Sequence, residues 1–275
     1  MRLGLAILVF GVLLASSAVA APEPKAPDWR QADPENTLVI DTSKGRIIVE
    51  MTPLVAPRHV AQIKALARQK LYDGRAFFRV IDWFMDQTGD PMDTGEGGSS
   101  LPDLKAEFTF RRDASTPFTT VSAPMGAEEG LVGSLPVVSQ AGALMKLTPD
   151  HQVSAWAAYC PGVAGMARAA DPDSANSQFF LMRQAYPSLD QRFTAWGKVL
   201  VGLDVVRAIK TGEPVQDPDR MLAVRVLADL PEAERPRIYV MDANGPAFAR
   251  LLARTRREKG ADFSVCDIDL PVMVR

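Results

Sequence analysis

The chain has 275 residues, 47% of them hydrophobic and 23% charged, and a formal net charge of −2. That composition belongs to a globular protein of one large domain or two small ones, and the near-neutral balance gives no support to nucleic acid or an anionic membrane as partner. Two His residues, two Cys residues and no clustered ligand spacing leave no transition-metal site.

The amino terminus reads as a secretory signal. Arg2 supplies the positive start, residues 3–14 the apolar core, and Ala18-Val19-Ala20 a small-x-small site with cleavage expected after Ala20. The apolar run is short for a membrane span, so no membrane attachment is expected after cleavage. Removing the segment takes away Arg2 and no acidic residue, which moves the net charge from −2 to −3. In an exported protein Cys160 and Cys266 form an even pair. A bridge would close a loop of roughly 100 residues and contribute about 4–5 kcal/mol on a chain-entropy argument. Two buried free thiols fit the sequence equally well.

Residues 21–36, rich in Pro, Ala and charge, read as a flexible arm. Residues 38–42 and 46–51 are strands joined by Ser43-Lys44-Gly45, a tight antiparallel hairpin. After Ala56-Pro57, the apolar positions Val60, Ile63, Leu66 and Ala67 follow helical spacing up to about Gln69. Within that helix His59 has no acidic or nucleophilic partner at i+3 or i+4, so it reads as structural. Tyr72-Asp73-Gly74 is a turn. Residues 77–81 and 83–85 are short strand-forming runs with a corner at Asp82, closed by Thr88-Gly89-Asp90-Pro91. On periodicity alone Arg79 simply points to solvent. The glycine-rich loop 93–100 lacks the lysine of a phosphate loop and reads as flexible.

Residues 113–161 are turn-rich, with a strand expected over 154–159. Their aromatic and aliphatic content argues for a folded insertion, expected near the rim of a binding groove. A short helix over 202–209 and a closing strand over 222–226 follow. Beyond Pro231, Phe248, Leu251, Leu252 and Thr255 have helical spacing, with Arg254, Arg256, Arg257 and Lys259 in the last turns and Gly260 as the stop. Ile268, Leu270, Val272 and Val274 alternate like a strand. Residues 231–275 thus read as an ordered extension docked on the domain, with Cys266 available to hold it.

Phe77, Arg79-Val80-Ile81, Phe84-Met85, Gln87 and Gly89-Asp90-Pro91, in order and without a gap, resemble the signature of the cyclophilin-type peptidyl-prolyl cis-trans isomerases. Met166-Ala167-Arg168 with Ser177-Gln178-Phe179-Phe180 resembles the second block of that family in its bacterial form. Leu189-Asp190 and Gly197-Lys198-Val199 resemble the third. The similarity covers about residues 37–230, apart from the insertion. It implies a mostly β fold, a closed antiparallel eight-stranded cyclophilin-like barrel with two capping helices. It also implies an enzyme that speeds rotation about X-Pro bonds of proline-containing polypeptides without cofactor or metal; with the secretory signal, the protein is expected to be exported, periplasmic and monomeric.

Carried over residue by residue, Arg79 is the donor to the prolyl nitrogen and Gln87 the residue that orients it. Phe84, Met85, Phe180 and Leu189 form the proline pocket, Phe193 its stacking wall, Ala167 and Arg168 the segment that pairs with substrate, and Gln178 the groove glutamine. The departures are Phe78 for a histidine, Asp82-Trp83 for Pro-Gly, Thr88 for a glycine, Phe193 for a pocket histidine, and Ser188 for a tryptophan that contacts cyclosporin in eukaryotic members. The last implies weak cyclosporin binding. An alternative is a proline-peptide-binding chaperone module with little or no turnover. Hydrolase and dithiol signatures (GxSxG, HExxH, CxxC) are absent from the sequence.

Overall fold

The computed structural model describes Pro24 and residues 27–275, so the predicted secretory signal and its cleavage site lie outside the described residues. After β1 (Trp29–Gln31), β2 (Thr37–Thr42) and β3 (Gly45–Met51) form a hairpin that turns at Gly45, φ 135°. Leu38, Ile40, Ile47, Val49 and Met51 face the main core, whereas Val39 and Ile48 face a separate cluster, as a period of two requires. α1 (Pro57–Arg68) covers the main core with Val60, Ile63, Leu66 and Ala67. It begins on proline, whose missing N–H costs nothing in the first turn. Its N-terminus is capped from afar: the Glu107 carboxylate accepts from the backbone N–H groups of Arg58 and His59 and lies 2.7 Å from His59 Nδ1. His59 is fully buried and structural, held by a partner 48 positions away.

β4 (Arg79–Val80) and β5 (Met85–Thr88) form a second hairpin. β6 (Phe110–Arg112), β7 (Phe118–Ser122), β8 (Ala127–Val132), β9 (Leu135–Gln140) and β10 (Val153–Ala157) make a separate five-stranded sheet in the order β6-β10-β9-β8-β7. The main sheet is completed by β11 (Val163–Met166), β12 (Phe179–Met182), β13 (Ala195–Val201) and, after α2 (Leu203–Ala208), by β14 (Met221–Val226). Its order is β14-β2-β3-β13-β11-β12-β5-β4.

The expected closed barrel is corrected here: the sheet is an open, curled half-barrel. β14 and β4 form no ladder with each other, and the gap is spanned by the isolated bridges Val80–Gly212 and Ala76–Arg220 together with single backbone hydrogen bonds such as Val215 N–H to the Phe78 carbonyl. The physical reason lies in the edges. β4 is two residues long, and the strip facing it, residues 211–220, carries Pro214 and Pro218, which cannot donate to a ladder. Inside the curl, Phe179 packs edge-on against Trp196 (5.6 Å, 87°) and Tyr72 (5.4 Å, 89°), each buried large side chain stabilising by about 1.5–3 kcal/mol.

β15 (Ile238–Met241), α3 (Pro246–Lys259) and β16 (Val272–Val274) build the carboxyl-terminal part. β15 pairs with both β1 and β16, and its Ile238 and Val240 pack on Val39, Ile48 and Ala32. Two expectations change. Residues 29–36 are not a flexible arm: Trp29–Gln31 is a strand, and Arg30 pairs with Glu50 at 2.5 Å. The strand expected over 268–274 shrinks to Val272–Val274, because Val265–Asp267 is a 3-10 turn and Pro271 lacks an N–H. Cys160 and Cys266 are joined in a disulfide, Cα–Cα 5.1 Å, which settles the alternative the sequence left open. Among the described residues no helix is long and apolar enough to cross a membrane.

Candidate active site

Strand register builds the site. Gly165 lies opposite Phe180, Phe180 opposite Gln87, and Gln87 opposite Arg79. Directly opposed residues project to the same face, so a glycine, an apolar ring, an amide and a guanidinium form one row across β11, β12, β5 and β4. Gly165 has to be small: a Cβ there would lie 2.6 Å from Phe180 Cζ and 2.7 Å from the Tyr159 hydroxyl. Met85 projects from β5 two residues before Gln87. Leu189 arrives on a 3-10 turn, Pro187–Leu189, and Phe84 from the corner between β4 and β5.

These side chains surround a cavity of about 180 Å³ lined by Arg79, Phe84, Met85, Gln87, Ala167, Arg168, Phe180, Leu189 and Phe193. Gln178, the remaining residue assigned from sequence, lines an adjoining polar cavity of about 540 Å³ together with the glycine-rich loop. The Arg168 guanidinium sits 4.5 Å over the Phe193 ring, which meets Phe180 edge-on at 6.0 Å. No residue of the 113–161 insertion lines either cavity. Its expected place at the rim is corrected to one behind the pocket. Val121, Leu131, Val137 and Ala155 share a core with Met85, Phe180 and Leu189, and the buried Tyr159 ring stacks 5.9 Å from Phe180.

A polar relay fixes the guanidinium. Arg79 Nε donates to Glu213 at 2.5 Å, and Nη1 donates to Gln87 Oε1 at 3.4 Å. Gln87 Nε2 donates to Gln178 Oε1 at 2.9 Å, and Gln178 Nε2 donates to the Gly95 and Gly97 carbonyls at 2.9 and 2.8 Å. That loop is held by Asp90, whose buried carboxylate accepts the backbone N–H groups of Met92, Thr94, Gly95 and Gly97. Burial pushes the Asp90 carboxyl up, but these N–H donors outweigh it and hold the group below the usual aspartate range. The sequence reading missed two participants. An aspartate just before a glycine-rich run is a usable signal for Asp90. Glu213, 134 positions from Arg79, had none.

None of the cavity's lining side chains is a nucleophile, and among the described residues no group of three or more His, Cys, Asp or Glu could hold a metal ion. What remains is a fixed cation at the edge of an apolar cup, suited to an apolar ring next to an atom that gains electron density. The family model described as cyclophilin type peptidyl-prolyl cis-trans isomerase/CLD matches residues 37–228. This chain belongs to that family. The cyclophilin is 36% identical over 214 residues to a probable peptidyl-prolyl cis-trans isomerase of Brucella suis, spanning 72% of this chain and 86% of that one. It is 29% identical over 192 residues to peptidyl-prolyl cis-trans isomerase CYP71 of Arabidopsis thaliana, spanning 67% of this chain and 23% of that one. The crystal structure of cyclophilin AquaCyp293 from Hirschia baltica matches with a TM-score of 0.84 at 36% identity, covering 90% of this chain and 93% of that one. The protein is an isomerase of the cyclophilin type.

Phe78, Thr88 and Asp82, three departures of this cyclophilin from the family pattern, each have a local partner. Phe78 is buried, and its ring packs under Gly95. The Thr88 hydroxyl donates to the Ala76 carbonyl at 2.8 Å. Asp82 is tied down by Arg183, which donates to its carboxylate at 2.8 Å and to its carbonyl at 3.2 Å. Arg183 also donates to buried Asp86 and to the carbonyls of Val206, Arg207 and Ile209 at the end of α2. The corner that replaces Pro-Gly is therefore anchored, with Trp83 standing out of it.

Proposed function

We propose that this cyclophilin accelerates rotation about X-Pro bonds in exported, proline-containing polypeptides, with Arg79 donating to the prolyl nitrogen. The barrier is the partial double bond, roughly 18–20 kcal/mol, and the uncatalysed step takes tens of seconds. As the bond twists, the nitrogen regains a lone pair. A donor aimed at that atom binds the twisted state better than either planar one, which lowers the barrier selectively. A guanidinium suits this role because it stays charged at all relevant pH and carries five donors. Two of these are committed to Glu213 and Gln87, which fixes its plane. The apolar cup of Phe84, Met85, Phe180, Leu189 and Phe193 receives the ring, and Ala167, Arg168 and Gln178 border the groove along which the peptide lies.

The observation that carries the reading is the row of Phe180, Gln87 and Arg79 across three adjacent strands. Arg79→Ala should lower kcat/KM for a proline-containing peptide about 10²–10³-fold, and Arg79→Lys should restore it only in part, because an ammonium lacks the planar fork. Isomerisation rates from NMR exchange measure both, and wild-type turnover in Arg79→Ala would reject the mechanism. Export is supported by the signal-like amino terminus and by a disulfide, a bond that persists in oxidising compartments such as the bacterial periplasm.

A further inference from the structure

We propose that Trp83, with Phe84 and Tyr186, forms a subsite that stacks an aromatic side chain next to the substrate proline. The proposal rests on the isomerase reading of the neighbouring cavity. Trp83 is 65% exposed, unusual for the largest apolar side chain. It does not project alone. Its ring is stacked on Phe84 (6.2 Å, 25°) and lies 6.4 Å from Tyr186, which itself meets Phe84 at 4.5 Å. Phe84 is at once a member of this trio and a wall of the cavity. The aromatic surface therefore continues the pocket outward on one side, while Gln87 and Gln178 lead into the polar cavity on another.

The support beneath the ring is fixed. Ile81 N–H donates to the Met85 carbonyl and Phe84 N–H to the Ile81 carbonyl, both at 2.9 Å, which closes the corner. Asp82 is held through its carboxylate and its carbonyl by Arg183, whose side chain is 3% exposed. Tyr186 N–H donates to the Tyr159 carbonyl at 2.8 Å, which ties the third ring to the pocket floor. A ring presented on a rigid corner needs little ordering when it binds. The occupant is aromatic rather than cationic because the carboxylate next to Trp83 in the chain, Asp82, is already paired with Arg183. Stacked ring pairs contribute about 0.5–1.5 kcal/mol beyond area burial, which corresponds to about a two- to twelvefold preference.

The test uses the full chain and matched peptides carrying Phe, Lys or Gly immediately before the proline, then immediately after it. Wild type should favour Phe over Gly about two- to twelvefold in kcat/KM at one of the two positions. Trp83→Ala should bring that ratio close to one, and Trp83→Phe should keep most of it. An unchanged ratio in Trp83→Ala, an equal fall on both peptides, or a preference for Lys over Phe would overturn the subsite. Titration of the same peptides gives Kd without turnover. A wild-type protein that isomerises nothing yet binds the Phe peptide better, in a Trp83-dependent way, would reject the isomerase reading and uphold the subsite.

Discussion

Asp190 illustrates how a pocket is shaped at the scale of a single residue. It follows Leu189, and its carboxylate accepts the Tyr159 N–H at 2.9 Å, which links the apolar cup to the ring behind it. Burial pushes its carboxyl up to about 6, and the single N–H only partly opposes this. An ordinary aspartate titrates near 3.9. A carboxyl raised on folding contributes stability that is present below the unfolded value and lost as pH rises through the folded one. Asp190→Asn should therefore match wild type near pH 4 and become the more stable of the two by pH 7, most of the change falling between about 4 and 6. Thermal unfolding across that range checks it, and a Tm difference that does not change with pH would contradict it. At this scale much of the candidate site was legible. Arg79, Phe84, Met85 and Gln87 stand within nine consecutive positions, so their order alone groups them. Glu213 was not, because an ion pair across 134 positions leaves no local pattern, whereas Asp90 carries one signal, its place just before a glycine-rich run.

Arg183 governs the arrangement of elements. Its guanidinium joins the corner between β4 and β5 to the end of α2, and it is the cation beside Asp86, which has no exposed surface. Burial pushes the Asp86 carboxyl up while Arg183 pulls it down. Removing the cation leaves a buried carboxyl without compensation, which typically costs about 3–5 kcal/mol. Arg183→Met should lose that much in urea unfolding, and adding Asp86→Leu should recover a large part, since a well-packed apolar pair can replace a buried ion pair. A loss below about 1 kcal/mol in the single variant would show that the pair does not hold the corner. Strands and helices of the main sheet were readable because their periodicity is strong: Leu38, Ile40, Ile47 and Val49 alternate, and Val60, Ile63, Leu66 and Ala67 repeat helically. Closure was not readable. It depends on whether two distant edges can exchange hydrogen bonds, and Pro214 and Pro218 oppose that only once the strip carrying them is known to face β4.

At the scale of the whole molecule, three parts that are separate in sequence share one core. The insertion contributes Val121 and Leu131, the carboxyl-terminal part Phe248, Val265 and Ile268, and the cyclophilin sheet Met85, Phe180 and Leu189. Polar contacts run along the same seam: Val265 N–H donates to Glu129, and Arg256 to the Val121 carbonyl. The Cys160–Cys266 bridge closes this arrangement across 106 positions. A loop of that length is worth about 4–5 kcal/mol in unfolded-state entropy, on the order of 10 °C in Tm for a chain of this size. Cys160 also neighbours Tyr159, whose ring backs Phe180, so loosening the tail should reach the apolar cavity through that contact. The double variant Cys160→Ala with Cys266→Ala should unfold at a correspondingly lower temperature and show a reduced kcat/KM. The same export reading requires wild-type protein recovered from the periplasmic fraction to begin at Ala21 and to carry no free thiol. An unchanged Tm in the double variant would remove the bridge from the stability of the fold, and a reduced thiol pair in periplasmic protein would remove the support it lends to export.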